Sequence, residues 1–415
     1  MSAATAKADP QPQTTAAPVE HFQFTNLGPL LFGLLVSGGA ALVICLLLAL
    51  FGTHALRERL LFSWLYAFAI CFTVSAGSVF WVLVHHATDA EWSVVVRRIL
   101  ETVGTTFFYL WVFFLPVLFF APTLYEWLDP AVFNADPVLV GKRALLNRPF
   151  WGFRAVFILA FFAILAWLLR YFSTRQDATG DPRWTVKLRQ VTYPCLPLFA
   201  LCLTFGAVDW FMSLNPHWYS TMWGVYVFAG SAWCAMAVLI LITYALQRAG
   251  YLEGIATVEH YHIMGKLLLS FTVFWAYIGF GQYFLIWYAN IPEEAEYFVA
   301  RNTEGWNVLS TALVVCHFFI PFLALCSRIN KRVPQRLAII SIWCVLIHLL
   351  DLYIIVIPAA GTEKAGPTLL SFFLALICLV AIAAPLAFLF LRNLAKTALY
   401  PLRDPRIVKS LKLVN

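Results

Sequence analysis

Apolar runs of about 20 residues recur from one end of the chain to the other, and no other feature limits the fold as strongly. A helix of that length crosses about 30 Å of hydrocarbon. Hydrophobic residues make up 62% of the chain and charged residues only 12%, which is more apolar than a soluble protein of 415 residues requires. The sequence therefore predicts an all-α, polytopic membrane protein.

Ten transmembrane spans are predicted from these runs, and they are numbered 1 to 10 in chain order. They cover residues 30–51, 60–84, 103–124, 150–172, 191–211, 221–246, 264–289, 307–326, 336–357 and 368–391. The preceding residues, 1–29, are rich in Ala, Thr, Pro and Gln and are interpreted as a disordered polar arm, not a signal peptide. The spans form one transmembrane domain, 30–391, and a basic tail follows at 392–415.

Basic residues are distributed unevenly between the two sides of the membrane. Most of the 28 Lys and Arg lie at the termini or in the even-numbered loops, such as the one between spans 2 and 3. Because loops rich in Lys and Arg stay in the cytoplasm, both termini are predicted to be cytoplasmic and the odd-numbered loops periplasmic. The net charge of +7 is thus a topology signal and does not indicate nucleic acid as a partner.

Spans 2–5 and spans 6–9 look like two copies of one unit. Spans 3 and 7 share a dense aromatic pattern, and spans 5 and 9 each carry an Asp seven residues before a Pro. The matched pairs are Asp209 with Pro216 and Asp351 with Pro358. Both sets begin on the same side of the membrane, so they would be parallel repeats. We predict two four-helix bundles flanked by spans 1 and 10. The predicted bundles cover 60–211 and 221–357.

The nine cysteines all lie within apolar runs, and no two of them form a Cys-x-x-Cys pair. This arrangement argues against disulfides, iron–sulfur ligation and a structural zinc site. No span carries two well-separated histidines, which a dihaem b-type cytochrome usually needs. We therefore expect no covalently bound cofactor and no metal ligated by this chain.

Ionisable residues inside the spans are few, and such residues are costly unless they face protein or water. The candidate functional residues are Glu101, Asp209, Lys266, His317, His348 and Asp351. His348 and Asp351 are three residues apart in span 9 and so share one helix face. His317 lies near the middle of span 8.

The other three candidates lie closer to span ends. Asp209 is at the outer end of span 5. Capping of the following hairpin and a functional role explain this acid equally well. A polar stripe runs along span 7 from the even-loop side, which is the side of the membrane where the even-numbered loops lie. Its members are Glu259, His262, Lys266, Ser270 and Tyr277. Lys266 lies deep enough in the span to need a partner. Glu101 marks the even-loop end of the first bundle, where His85 and His86 are expected at the membrane interface.

Three interpretations of these six groups stay open. Titratable side chains in a membrane can relay protons through ordered water. An acid or a histidine between aromatic walls can instead bind a quinone oxygen. The third interpretation is that the groups bond to one another and lock the helices together.

Two long stretches of the sequence are more specific than these patterns. They are DWFMSLNPHWYSTMWGVYVFAGS, which starts at Asp209, and HYHIMGKLLLSFTVFWAYIGFGQYFLIWYANIPEE, which starts at His260. Over essentially the whole chain the sequence resembles the smaller of the two polysulfide-reductase-type (NrfD-like) membrane subunits of bacterial alternative complex III. The resemblance implies a haem-free, multi-pass subunit of the inner membrane in a respiratory quinol:cytochrome c (or other acceptor) oxidoreductase, sometimes called quinone-binding subunit 2.

The resemblance also implies what surrounds such a subunit. The expected partners are a larger NrfD-like sister subunit, periplasmic multihaem cytochrome c and iron–sulfur subunits, a terminal oxidase as a further candidate, and membrane lipid. The chain would hold no redox centre, would support electron transport and proton translocation, and would have quinone or quinol as its one small-molecule candidate. The six residues above are the candidates for a proton path by their depth and spacing.

Two other functions stay open. A secondary transporter would need helices broken in mid-membrane at matching positions of both halves. Pro116 in span 3, with Gly279 and Gly281 in span 7, hints weakly at such breaks. A purely structural anchor for peripheral subunits would use every buried polar group for packing.

Overall fold

The computed structural model describes residues 21, 27–303, 305–363 and 366–414. Helices account for most of this part of the chain, and it contains no β-strand. The predicted all-α fold is therefore confirmed. Of the predicted polar arm, only residues 21 and 27–29 are among those described.

Ten helical segments are long and apolar enough to cross a membrane. They are Gly28–Phe51, His54–Ala87, Val94–Phe119, Arg148–Thr179, Arg183–Leu214, Trp223–Arg248, Val258–Ala289, Trp306–Cys326, Pro334–Ala359 and Leu369–Leu394. Each overlaps one predicted span, so the ten spans are confirmed and keep their numbers. Shorter helices in the loops and the tail include Pro130–Ala135, Pro137–Gly141, Pro292–Ala300, Arg328–Arg332 and Ile407–Leu411.

The predicted spans are shorter than the helices where a helix continues through charged residues. Span 3 begins at Val94 and not at residue 103. Its first turns carry Arg97 and Arg98, whose side chains are buried and form ion pairs with Asp404 and Asp177. Because these charges are neutralised inside the protein, they do not end the helix as a charge exposed to lipid would.

Spans 3 and 8 have irregular backbone in their interior, and span 7 has none. Span 3 consists of the helices Val94–Gly104 and Phe107–Phe119. Span 8 contains one π-helical turn, Val315–Phe319, just before Pro321. Because proline has no N–H to offer the carbonyl one turn earlier, it favours such a widened turn. Span 7 is one continuous helix, Val258–Ala289, through both of its late glycines.

Spans 2–5 pack as one ring of four helices, and spans 6–9 pack as a second. Within each ring the first helix touches the second and the fourth, and the third touches the second and the fourth. The rings meet along spans 2 and 6, and each of these helices also touches the last helix of the other ring. The two predicted four-helix bundles are thus present with matching connections. Spans 1 and 10 pair with each other and lie against span 2.

The two bundles approach each other closely at Gly77 of span 2. A Cβ atom placed on this glycine would lie 2.1 Å from the backbone oxygen of Ser231 in span 6. Any side chain at this position would therefore overlap the neighbouring backbone. Small residues at helix crossings are the usual means of bringing two membrane helices into direct contact.

The C-terminal tail folds back onto the even-loop end of the first bundle. Asp404 receives hydrogen bonds from Arg97 Nη1 at 2.6 Å and from Arg406 Nη2 at 2.9 Å. Lys409 Nζ lies 2.6 Å from Glu91 Oε1, and the Ser410 hydroxyl bonds to the backbone beside it. The tail is therefore part of the folded protein and covers the ends of spans 2 and 3.

Candidate functional site

Asp351 lies in the interior of the second bundle, and its carboxyl group is bound by neutral donors. Tyr226 Oη donates to Oδ1 at 2.5 Å, and Trp275 Nε1 donates to Oδ2 at 3.2 Å. The residue is 2% exposed. Within the described part of the chain, no Lys, Arg or His forms an ion pair with it. Asp351 can gain or lose a proton without breaking a salt bridge.

His317 is held between two tryptophan rings in the same bundle. Its ring centroid lies 3.5 Å from that of Trp275 and 3.9 Å from that of Trp233, with both pairs nearly parallel. The side chain is fully buried, and neither ring nitrogen has a hydrogen-bond partner among the described residues. Buried polar atoms without partners are rare in proteins and require an explanation. The π-helical turn of span 8 places His317 here.

His348 links the second bundle to the first. Its Nε2 lies 2.9 Å from the hydroxyl of Thr73 in span 2, while that hydroxyl donates to the backbone oxygen of Ile70 at 3.0 Å. A hydroxyl has one proton, so Nε2 must be the donor in the contact with Thr73. In neutral His348, Nδ1 then carries a free lone pair, and it has no partner in the described structure.

Gly230 of span 6 leaves space for the side chains of His348 and Asp351. A Cβ atom on this glycine would lie 3.2 Å from His348 Cε1 and 3.7 Å from Asp351 Oδ2. We define the Asp351 cluster as Asp351, Tyr226, Trp275, His317 and His348. It joins spans 6, 7, 8 and 9 at the centre of the second bundle and contains three of the six candidate residues.

Asp209 occupies the matching position in span 5 but has different surroundings. Arg154 of span 4 forms two hydrogen bonds with its carboxylate, Nε to Oδ2 at 2.6 Å and Nη2 to Oδ1 at 2.8 Å. Trp151 Nε1 donates to the Asp209 backbone oxygen at 3.0 Å. Asp209 is thus neutralised within a closed pair, which favours the structural interpretation that the sequence left open. The sequence did not indicate Arg154 as its partner.

Glu101 belongs to an ionic network at the even-loop end of the first bundle. Its carboxylate lies 2.8 Å from Arg97 Nε and 3.2 Å from Arg98 Nε, with Arg170 at 3.9 Å. Asp404 of the tail pairs with the same Arg97. Glu101 therefore has several cations around it, which favours a role in holding helices together over a role in proton transfer.

His85 and His86 are buried, contrary to the interfacial position expected from the sequence. His85 Nδ1 bonds to the hydroxyl of Ser93, and its Nε2 lies 2.8 Å from Arg97 Nη1. Both histidines are 2% exposed or less. The reason is tertiary: the tail residues around Asp404 cover the end of span 2, where a helix end would otherwise meet water.

Lys266 lies outside the Asp351 cluster. It is exposed on the outer face of span 7, as is Ser270 one turn later, whose hydroxyl bonds to the Lys266 backbone oxygen at 3.0 Å. The stripe begins with Glu259, which pairs with Arg332. Lys266 and Ser270 therefore face away from the bundle interior, where a path to Asp351 would have to run.

The hairpin between spans 5 and 6 closes the odd-loop end of the second bundle. The ring of Trp218 stacks on that of Tyr297 with their centroids 4.2 Å apart, and the guanidinium of Arg301 lies 3.5 Å from the same Tyr297 ring. Arg301 also donates to the backbone oxygens of Ile354 and Ile355 near the end of span 9, at 2.8 Å each. The aromatic residues of the first quoted stretch thus hold the outer loops against the bundle.

The sequence alone missed most partners of the Asp351 cluster. Tyr226, Trp275 and Trp233 lie in spans rich in aromatic residues, which are common in membrane proteins of every function. Tyr226 lies within the first quoted stretch and Trp275 within the second. The only signal for them was this placement, because residue spacing does not show which aromatic ring faces an acid on another helix.

Comparison of the chain with protein-family models and with curated proteins finds no match. The resemblance to the NrfD-like subunits therefore stays a prediction from the sequence.

The pH dependence of the tail tests the ion pairs that Asp404 forms with Arg97 and Arg406. Burial alone would raise the pKa of this carboxyl, but Arg97 and Arg406 hold it below its usual value of 3.8. Because the pKa is lowered by folding, the contribution to stability is complete above pH 3.8 and is lost as the pH falls below that value. We expect the tail to resist limited proteolysis from pH 7 to about pH 4 and to lose that protection below.

Replacing Asp404 by asparagine should release the tail at neutral pH. The substitution leaves Arg97 buried with one carboxylate fewer, a change that costs roughly 3–5 kcal/mol for a buried pair. We expect tryptic cleavage of the tail to become at least about tenfold faster at pH 7. Glu253→Gln, at an exposed acid in an even-numbered loop, is the matched control. Equal cleavage rates in both variants would show that Asp404 does not hold the tail.

Proposed function

We propose that this chain is a haem-free membrane subunit of a quinol-oxidising respiratory complex, and that its Asp351 cluster transfers protons coupled to quinol oxidation. One observation carries the proposal. Asp209 and Asp351 occupy matching positions in the two bundles, but Arg154 neutralises only Asp209. Asp351 is bound by the neutral donors Tyr226 and Trp275. A buried acid without a counter-charge is costly and is typical of functional positions in membrane proteins.

The packing of the cluster favours a proton over a quinone as its ligand. Both faces of the His317 ring are covered by tryptophans, and both oxygens of Asp351 already accept a hydrogen bond. One of these two hydrogen bonds would have to break before a quinone oxygen could bind the acid. In this proposal the quinol binds to the sister subunit, and this chain contributes groups that accept or release protons.

The two competing functions agree less well with the same features. A transporter of the broken-helix type calls for matching breaks in spans 3 and 7, whereas span 7 runs unbroken through Gly279 and Gly281. A purely structural anchor would neutralise its buried acids in pairs, as Arg154 neutralises Asp209. Asp351 has no ion-pair partner among the described residues, which supports a role beyond packing.

Membership of a complex is tested by isolating the protein in mild detergent with the subunits that accompany it. We expect recovery with a larger NrfD-like subunit, a multihaem cytochrome c and an iron–sulfur protein, seen as haem absorption and identified by mass spectrometry. The predicted orientation places these extrinsic subunits on the odd-loop side. Recovery of this chain alone, with no haem, would contradict the proposal and favour the transporter.

The role of the cluster is tested with Asp351→Asn and His348→Ala in the purified complex. Since proton transfer by a positioned side chain contributes roughly 10²–10⁴-fold, we expect quinol-driven proton translocation in liposomes to slow by on the order of 100-fold. The variants should still assemble with their partners. Glu126→Gln, at an exposed acid on the odd-loop side, is the control. Translocation at the wild-type rate in both cluster variants would exclude the cluster from the proton path.

A further inference from the structure

A cleft of about 390 Å³ lies on the odd-loop side of the second bundle, between the start of span 6 and the end of span 7. Its lining includes the hydrogen-bonding side chains Tyr219, Ser220, Thr221, Tyr277, Gln282 and Glu294. Two hydrogen bonds cross it, Ser220 Oγ to Gln282 Oε1 at 2.6 Å and Tyr219 Oη to Glu294 Oε1 at 3.2 Å. Gln282 is 7% exposed, so the polar lining extends below the surface.

A second cleft lies where the two bundles meet, and its lining is almost entirely apolar. It has a volume of about 190 Å³ and lies between spans 5 and 6. Apolar residues such as Phe199, Leu203 and Phe228 line it, and Thr204 is its one hydrogen-bonding side chain. Such a surface suits lipid chains. Only the larger cleft has the several polar partners that bound water needs.

The larger cleft ends one helical turn from the donors that bind Asp351. Met222 and Ile278 form part of its lining. Tyr226 lies four residues after Met222 in span 6, and Trp275 lies three residues before Ile278 in span 7. One turn of helix is about 5.4 Å long. The floor of the cleft and the Asp351 cluster are therefore neighbouring layers of the bundle.

The Tyr226 side chain lies beside Gly279 of span 7 and reaches the acid. A Cβ atom on Gly279 of span 7 would lie 3.2 Å from Tyr226 Cε2, so the ring rests against the glycine backbone. Its hydroxyl meanwhile bonds to Asp351. Rotation of this one side chain would uncover Asp351 Oδ1, the atom to which it donates.

We propose that the larger cleft is the opening through which water from the odd-loop side reaches Asp351, with Tyr226 as its gate. The proposal builds on the proton-transfer role assigned to the cluster, and it names the side and the route of exchange. The polar lining supplies hydrogen-bond partners for a short file of water molecules. The absence of a side chain at Gly279 lets the gating ring take its position.

The route is tested by chemical modification of Asp351 in the full chain, in membrane vesicles. A carboxyl group adds to a carbodiimide through its oxygen, its proton passes to a nitrogen, and the adduct rearranges to a stable N-acylurea that mass spectrometry detects. We expect a water-soluble carbodiimide to modify Asp351. Asp209, which is paired with Arg154, should stay unmodified, and the exposed Glu126 should react in every variant.

Gly281→Trp is designed to close the cleft without disturbing the bundle. Gly281 lines the cleft, and a Cβ atom there meets nothing within 4 Å, so the indole can fill the space. We expect modification of Asp351 to slow at least about tenfold, because the reagent loses its path. Gly39→Trp, on an equally open site of span 1, should have no effect. Thr221→Trp fills the cleft from the opposite wall and should reproduce the result.

Several outcomes would overturn the route. Modification of Asp351 at the wild-type rate in both cleft variants would exclude the cleft as its path. No modification in the wild type, while Glu126 reacts, would show that the cleft does not open as far as Asp351. Modification only by a lipophilic carbodiimide would show access from the bilayer. The labelling needs neither quinol nor partner subunits, so its failure is distinguishable from loss of proton translocation in the assembled complex.

Discussion

Replacing Arg154 by methionine is expected to lower the free energy of unfolding by about 3–5 kcal/mol. The guanidinium makes two hydrogen bonds to Asp209, and the two residues are 7% and 2% exposed. Methionine fills a similar volume but leaves the carboxylate buried without its counter-charge. Desolvation of that charge is the physical origin of the loss. Denaturation of the purified protein in detergent, followed by tryptophan fluorescence, measures it.

Two further variants separate the charge effect from a packing effect. Arg148→Met removes an exposed arginine from the same helix and should change stability little, because an exposed charge is already hydrated. Removing both charges with Arg154→Met and Asp209→Leu together should restore most of the loss, since no unpaired charge then remains buried. A single-variant loss below about 1 kcal/mol would mean that the pair is solvated in the membrane.

Gly77→Val is expected to be at least as damaging, with a cost of about 3 kcal/mol or more and little folded protein recovered. The first side-chain carbon would lie 2.1 Å from the Ser231 backbone oxygen. Backbone cannot move aside as a flexible side chain can, so spans 2 and 6 would have to separate. Their separation would also pull Thr73 away from His348, which joins the two bundles.

The measurement for this variant is the fraction of protein that elutes as a monodisperse peak in detergent, together with its thermal stability. Gly39→Val is the matched control, because it makes the same change in a membrane helix where nothing lies within 4 Å of the added carbon. If Gly77→Val folded as well as this control, the two bundles would not be in contact at Gly77.

The positions of the spans could be predicted because bilayer thickness sets the length of an apolar helix. The helix ends could not, because they depend on partners elsewhere in the fold. Arg97 looks like a loop residue until Asp404, some 300 residues later in the chain, neutralises it. His85 looks interfacial until the same tail covers it. In each case a contact distant in sequence changed the cost of burying a polar group.

The candidate site, too, could be predicted from the sequence only in part. The depth of His317, His348 and Asp351 in their spans marked them as unusual, and the structure brings all three together. Depth also selected Lys266, which is exposed on the outside of the bundle, because helical spacing alone does not say which face points inwards.

The sequence by itself determined that this chain is a ten-span helical membrane protein with two matching halves, since hydrophobic length and a repeated Asp–Pro spacing are local properties. It also identified Asp209 and Asp351 as equivalent acids. Only the tertiary structure decided that they differ: Arg154 reaches Asp209 from a neighbouring helix, while Tyr226 and Trp275 reach Asp351. The charge state available to a buried acid depends on which groups surround it in space, and that depends on how the helices pack.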